Sequence, residues 1–183
     1  MLNTVIEHMR SRRSVRKYRP DPVPKELMDQ VILAGTYAAS GKDHQSGIIV
    51  AVTNSALRDR LSELNRQIGG WEEGFDPFYG APVVLAVLAE KEWPTHVYDG
   101  SLIMGNLMLA AHSVGLGSCW IHRAREIFEL EEGKQMLRDL GIEGEYEGIG
   151  FCILGYADGE LSSASPRKEH FVYYAEEYGR ITG

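Results

Sequence analysis

The sequence predicts a mixed α/β sheet covered by helices. Short apolar runs with the length of buried strands recur along the chain, and segments with apolar residues three and four apart lie between them. No glycine-rich fingerprint follows a first strand, so neither a dinucleotide-binding fold nor a P-loop NTPase is indicated. At 183 residues, 44% apolar and 25% charged, the chain is expected to form one soluble domain over residues 1–183 with a C-terminal tail from about residue 161. A chain of this size buries about 70% of its unfolded surface, which is enough for a real core.

The elements follow in order. Thr4-Val5-Ile6-Glu7 has capping-box spacing and predicts a short helix to about residue 9 or 12. Pro20, Pro22 and Pro24 then enforce an extended link. Residues 25–40 read as a helix, with Leu27, Met28, Val31 and Ile32 on its apolar side and Gly41 as its stop. Residues 47–53 are a β-branched apolar run and predict a buried strand. Ser55 is placed to cap a helix carrying Leu57, Leu61, Leu64 and Ile68. A loop rich in glycine and aromatics (residues 69–80) precedes a second strand at 81–89. Residues 99–112 are apolar on nearly every side, so that helix has to be enclosed by a core or by another subunit. A strand at 115–121, a surface helix at 131–140 and a last strand at 148–155 complete the order, and the tail turns aromatic at Phe171, Tyr173 and Tyr174.

Charge supplies the functional clue. Lys+Arg total 19 against Asp+Glu 26, a net charge of −7, yet Arg10, Arg12, Arg13, Arg16, Lys17 and Arg19 crowd together, interleaved with Ser11 and Ser14. A positive knot on a negative chain suits one concentrated anion. Arginine's planar fork and serine hydroxyls match phosphate oxygens. A basic arm for nucleic acid is the competing reading, and the acidic balance with no second basic patch argues against it. No apolar run reaches the roughly 20 residues of a membrane span. Cys119 and Cys152 lie in apolar surroundings, as buried thiols of a reducing cytoplasm would, and a cytoplasmic protein is expected. No Cys/His set has zinc-site spacing.

Several separated segments together resemble the nitroreductase family of FMN-dependent oxidoreductases, from about residue 5 to residue 168. Arg12-Arg13-Ser14-Val15-Arg16 resembles that family's opening phosphate and flavin motif. Ala39-Ser40-Gly41-Lys42-Asp43-His44-Gln45 resembles its second flavin-contacting loop, supplied by the partner subunit. Gly115 to His122 resembles the segment that runs along the flavin's central ring, and Gly155-Tyr156 with Pro166-Arg167-Lys168 resembles the closing motif. The chain departs from the family at Asp43, usually asparagine, and at Ser46-Gly47, usually proline-tryptophan. Asp43 is therefore not carried over as a ligand.

The resemblance implies an α+β fold with a mixed, mostly antiparallel sheet, a homodimer with FMN at its interface, and a C-terminal extension packed on the partner. It implies Arg12, Ser14, Arg167 and Lys168 as the phosphate clamp, with Arg13 and Arg16 shared between phosphate and ring. Arg16 is the first choice to stabilise the reduced flavin. Asn65 either bonds the pyrimidine edge or faces solvent. Ser40 and Gln45 would reach the flavin from the other subunit, or merely cap their own loop. Trp120 lines the flavin or fills core, and Ile121 and His122 flank N5, through the His122 backbone or its ring. Arg10, Lys17 and Arg19 are assigned to the surface. The aromatics of residues 69–79 are expected to help line an acceptor pocket. No catalytic side chain is demanded, because the cofactor carries the chemistry. NAD(P)H would reduce FMN, and a nitroaromatic or quinone would take the electrons. A flavin-binding protein without turnover is the alternative.

Overall fold

The computed structural model describes residues 2–174. Helix α1 (Thr4–Ser11) starts beneath Asn3, whose side chain accepts from the Val5 N–H at 2.9 Å, so the cap falls one residue before Thr4. Helix α2 (Lys25–Thr36) stops four residues short of the expected end. The reason lies far along the chain. The Gly41 N–H is taken by the Asp99 carboxylate at 2.9 Å, which draws residues 38–43 off the helix axis and into a separate 3₁₀ turn (Gly41–Asp43). Strand β1 (Gly47–Val52) agrees with the sequence reading. Helix α3 (Ser55–Gly69) is capped by Asn54, not Ser55, through a bond from the Leu57 N–H, and it ends on Gly70 at φ +69°.

Strand β2 (Val83–Glu90), helix α4 (His96–Ser113) and strand β3 (Gly117–Ile121) follow. A short helix α5 (Ala124–Glu129), which the sequence did not suggest, precedes helix α6 (Glu131–Asp139) and strand β4 (Tyr146–Gly155). Six residues span less than two turns, too few for an apolar period to show.

The strands form one sheet in the order β1-β2-β4-β3, every neighbouring pair antiparallel. The N-terminal segment adds a parallel bridge at the β3 edge, Ser14 to Ser118. Side-chain alternation splits the central strands between two cores. Val84, Ala86, Leu88, Phe151 and Ile153 pack with Leu61, Phe78 and Phe128, on the face covered by α3, α5 and α6. Val83, Leu85, Val87, Cys152 and Leu154 pack with Val31, Met104 and Leu107, under α2 and α4. Burial on both faces is why β2 reads as an unbroken apolar run even though its pairing is antiparallel. Both cysteines are buried and free. No helix among the described residues is long and apolar enough to cross a membrane.

Helix α4 is not enclosed on all sides within the protomer. Ile103, Met104 and Leu107 are buried, whereas Tyr98 and Leu102 are exposed and Gly105 faces open space.

The β2–β4 register shifts between Val87 and Leu88, where Gly150 and Gly148 oppose them. A Cβ at Gly148 would come within 2.3 Å of the Ala124 backbone, where α5 begins. Gly148→Ala is therefore expected to destabilise the fold by about 1–3 kcal/mol through overpacking. Urea denaturation measures this, and an unchanged midpoint would mean that α5 does not seat on this glycine.

Candidate functional site

The basic segment is hung from the sheet by its apolar members. Val15 is buried and its N–H donates to the Ser118 carbonyl at 2.9 Å. Tyr18 is buried too, its hydroxyl donating to the Val15 carbonyl at 2.9 Å, and the Arg19 N–H donates to the Tyr156 carbonyl. With Val15 and Tyr18 facing in, Ser14 and Arg16 face out. A cleft of about 710 Å³ results, lined by Arg10, Arg12, Arg13, Ser14, Arg16 and, from the tail, Ser162, Ser163, Ser165 and Arg167. Its size lies within the usual range for small-molecule sites.

Two guanidinium nitrogens here, Arg12 Nη1 and Arg13 Nε, are sealed from solvent with no acceptor among the described residues. An unmet buried donor costs about 1–3 kcal/mol, more when charged. Arg13 Nη1 is used locally, on the Arg10 and Arg12 carbonyls at 2.7 and 2.6 Å. Beside the cleft, Ser11 Oγ lies 2.8 Å from both the Glu7 carbonyl and His112 Nε2. Burial, then His8, Arg12 and Arg13, push the His112 ring below its ordinary value and favour its neutral form.

Lys17 and Arg19 are surface residues as expected, paired with Asp158 at 2.6 Å and Asp21 at 3.2 Å. Arg10 is exposed as expected and also lines the cleft. Lys168 lies over the Phe171 ring at 5.5 Å and is not among the cleft-lining residues. The sequence reading also missed the tail serines, whose signal was their run of hydroxyls just before Pro166-Arg167.

Strand β3 leads from this cleft to a second group. Trp120 is half-buried with its indole against Gly150, so it fills core, and Ile121 is buried. His122 has an exposed side chain, and its carbonyl accepts from Asn65 Nδ2 at 2.8 Å. Asn65 is fully buried. It therefore does not face solvent, and its observed contact fixes the backbone at His122. Asn65 Oδ1 has no donor among the described residues.

Arg123 follows at φ +75°, with its guanidinium carbon 4.5 Å from the centre of the Trp71 ring. Trp71 and Phe75 are exposed and lie 5.1 Å apart between centroids, and Tyr79 is 6.0 Å beyond Phe75. Phe78 instead faces inward and is fully buried against Phe151. Asp76 shapes the loop, accepting from Ser62 at 2.6 Å, from the Phe78 and Gly80 N–H groups at 2.9 and 2.7 Å, and from Arg58. Burial alone would raise the Asp76 carboxyl, but these donors together hold it below the ordinary value.

Ser40 and Gln45 lie at a third place. They line a cavity of about 390 Å³ with residues of α2, β1 and α4, sharing no lining residue with the arginine cleft. The Gln45 N–H donates to Ser40 Oγ at 3.0 Å. Asp99 is buried and holds the loop at both ends, accepting from the Gly41 N–H at 2.9 Å and from the Ser46 hydroxyl at 2.7 Å, with Thr95 at 3.2 Å. Lys42, Asp43 and Gln45 all have positive φ. His44 stacks on Trp93 at 3.8 Å and meets Glu90 at 2.7 Å.

Residues 9–156 match the profile of the Nitroreductase family. The chain belongs to the nitroreductase family. A Methanothermobacter thermautotrophicus relative with the provisional name NADH dehydrogenase/NAD(P)H nitroreductase is 30% identical over 74% of this chain and 68% of its own. The FMN reductase [NAD(P)H] of Bacillus subtilis is 27% identical over 72% of this chain, which spans only 60% of that protein. Among solved structures, an FMN-bound nitroreductase of Bacteroides fragilis superposes with a TM-score of 0.88 at 27% identity, covering 96% of this chain and 100% of the other.

In this chain the Ser46 departure has a structural role. Where the family usually has proline, a hydroxyl is bonded to a buried carboxylate. Burial alone would raise the Asp99 carboxyl, but its three donors and nearby His44 hold it below the ordinary 3.8. A lowered carboxyl contributes stability above its unfolded value that is lost as pH falls through the folded one, here below about pH 4. Asp99→Asn is expected to weaken the charge-assisted bonds, lower stability at neutral pH by about 1–3 kcal/mol and flatten the acid limb. Melting curves from pH 3 to 7 measure this, and an acid limb identical to that of the parent would show that Asp99 does not anchor the loop.

Proposed function

We propose that this chain is an FMN-dependent NAD(P)H oxidoreductase, working as a homodimer and passing electrons to electron-poor acceptors such as nitroaromatics or quinones. One observation carries the reading. In a chain of net charge −7, Arg10, Arg12, Arg13, Arg16 and Arg167 line one cleft, and none has a carboxylate within ion-pair distance among the described residues. The residues fit a phosphate-bearing group, because two of those arginines keep sealed donors with nothing to bond. Bound FMN would supply two-electron transfer at N5.

The chain's own part is binding and orientation. Arg12, Arg13, Ser14 and Arg167 hold the phosphate, with Arg10 and the tail serines completing the shell. Arg16 sets a positive charge where the reduced ring becomes negative, favouring the reduced state. Ile121 and His122 present backbone to the ring, and Asn65 keeps that backbone from swinging. Ser40 and Gln45 act on the partner's flavin, from a loop pinned by Asp99.

Two features support the dimer. The exposed stripe of Tyr98, Leu102 and Gly105 on α4 would be costly to leave bare. Phe171, Tyr173 and Tyr174 of the tail are exposed in the protomer. Residues 175–183, the rest of the expected partner-wrapping extension, lie outside the described residues.

Purified protein is expected to take up FMN, with absorbance near 450 nm, and to bleach anaerobically on adding NADH or NADPH. Arg12→Gln is expected to weaken FMN binding about tenfold to a hundredfold, the range for losing one charge-assisted contact. Protein that gains no flavin absorbance rejects the reading. Protein that binds FMN yet never bleaches is a carrier and not an enzyme.

A further inference from the structure

Ion pairing separates the arginines of this chain into two classes. Arg19, Arg58, Arg60, Arg66, Arg125 and Arg138 each contact a carboxylate within 4.0 Å. Those without one among the described residues line the cleft, with a single exception. That exception is Arg123, which has neither an ion pair nor a side-chain hydrogen bond there, and no cleft lining places it with the others. In an acidic chain, an arginine left without carboxylates is poised for an anion from outside.

Its surroundings specify what kind. Trp71 carries Arg123 on its ring, is braced through its carbonyl by Arg66 Nη1 at 2.7 Å, and lies over Gly69, where a Cβ would meet the indole at 2.4 Å. Phe75 continues the aromatic surface. The cation–π contact fixes the guanidinium over the indole while leaving its in-plane donors free. Arg123 is also held at φ +75°, an uncommon backbone state for a residue with a Cβ. From Ser118, which bridges to Ser14 at the cleft, to Arg123 is five residues, three of those steps within β3, a span of at most about 17 Å. The two anion sites thus sit at opposite ends of β3.

We propose that Arg123, seated on Trp71, is a specificity determinant that docks the anionic group of a planar aromatic electron acceptor. This rests on the reading of Ile121 and His122 as the residues beside the flavin. Arg123 supplies the charged anchor and the exposed rings of Trp71 and Phe75, inclined at 49°, an apolar wall, so an acceptor with a carboxylate is preferred over its neutral counterpart.

The test uses full-length FMN-loaded protein and two probes, para-nitrobenzoate and its methyl ester. Dissociation constants come from tryptophan quenching, with Trp71→Phe identifying the reporter. The parent is expected to bind the acid about tenfold more tightly than the ester, an advantage that shrinks with added salt. Arg123→Gln should erase that advantage and leave ester binding within about twofold, and Arg123→Lys should keep part of it. Equal binding of acid and ester by the parent overturns the proposal, and so does a loss in Arg123→Gln that is the same for both probes, since that marks Arg123 as a clasp for the loop. If the variant slows reduction by NADPH but not by NADH and leaves the acid preference intact, the anion belongs to the reductant and the proposal is wrong. The parent's salt dependence decides the matter even if the variant fails to fold. Failure of NAD(P)H to bleach the flavin would sink the oxidoreductase reading alone, because the quenching constants need no turnover.

Discussion

Gathering like charges is the constraint around which this structure is arranged. Two unit charges 4 Å apart repel by about 1 kcal/mol even in bulk water, and more near a protein surface. Arginines such as those of the cleft would disperse into solvent unless the backbone held them. The holding is done by Val15 and Tyr18, buried on either side of Arg16 and tied to Ser118 and to each other. Gly117 allows this, since a Cβ there would come within 2.8 Å of the Val15 side chain. The apolar effect thus fixes a segment whose polar members are, on their own, mutually unfavourable. A divalent phosphate entering the cleft turns that repulsion into attraction, which is why ligand binding and stability should be coupled here.

The fold was legible in the sequence where burial acts locally. Strand β2 is enclosed on both faces and β1 runs along it, so both show as apolar runs. Legibility fails where a distant residue decides. Nothing near Gly41 reveals that Asp99, 58 residues on, takes its N–H and ends α2 early. At Thr4 and Ser55 the local pattern admits either neighbour as the cap, and only the bonds from Val5 and Leu57 choose Asn3 and Asn54.

The candidate site divides in the same way. Arg12, Arg13, Ser14 and Arg16 were visible as a cluster because they are contiguous. The place of the exposed Arg10 in the cleft depends on the tail folding back, which no spacing records. Asn65 is turned away from solvent, and the contact that uses its Nδ2 is with a backbone carbonyl 57 residues away. Polar residues whose partners are main-chain atoms leave no complementary residue type to search for.

The loop at residues 40–46 is restrained by a side chain and not by a proline ring. A proline restricts φ through its ring, at no cost in hydrogen bonds beyond its own missing N–H. Here Ser46 is restrained instead through Asp99, and the same carboxylate restrains Gly41. Between those points Lys42, Asp43 and Gln45 occupy the left-handed region, where each residue with a Cβ is uncommon and strained. Such a run persists only if its ends are over-determined. That requires an ionised, buried acceptor on a rigid helix, and α4 provides one next to the surface it leaves bare. Covering that surface with a second copy would shield Asp99 further from water and strengthen the bonds that hold the loop. Loop order and subunit association would then reinforce each other through one carboxylate.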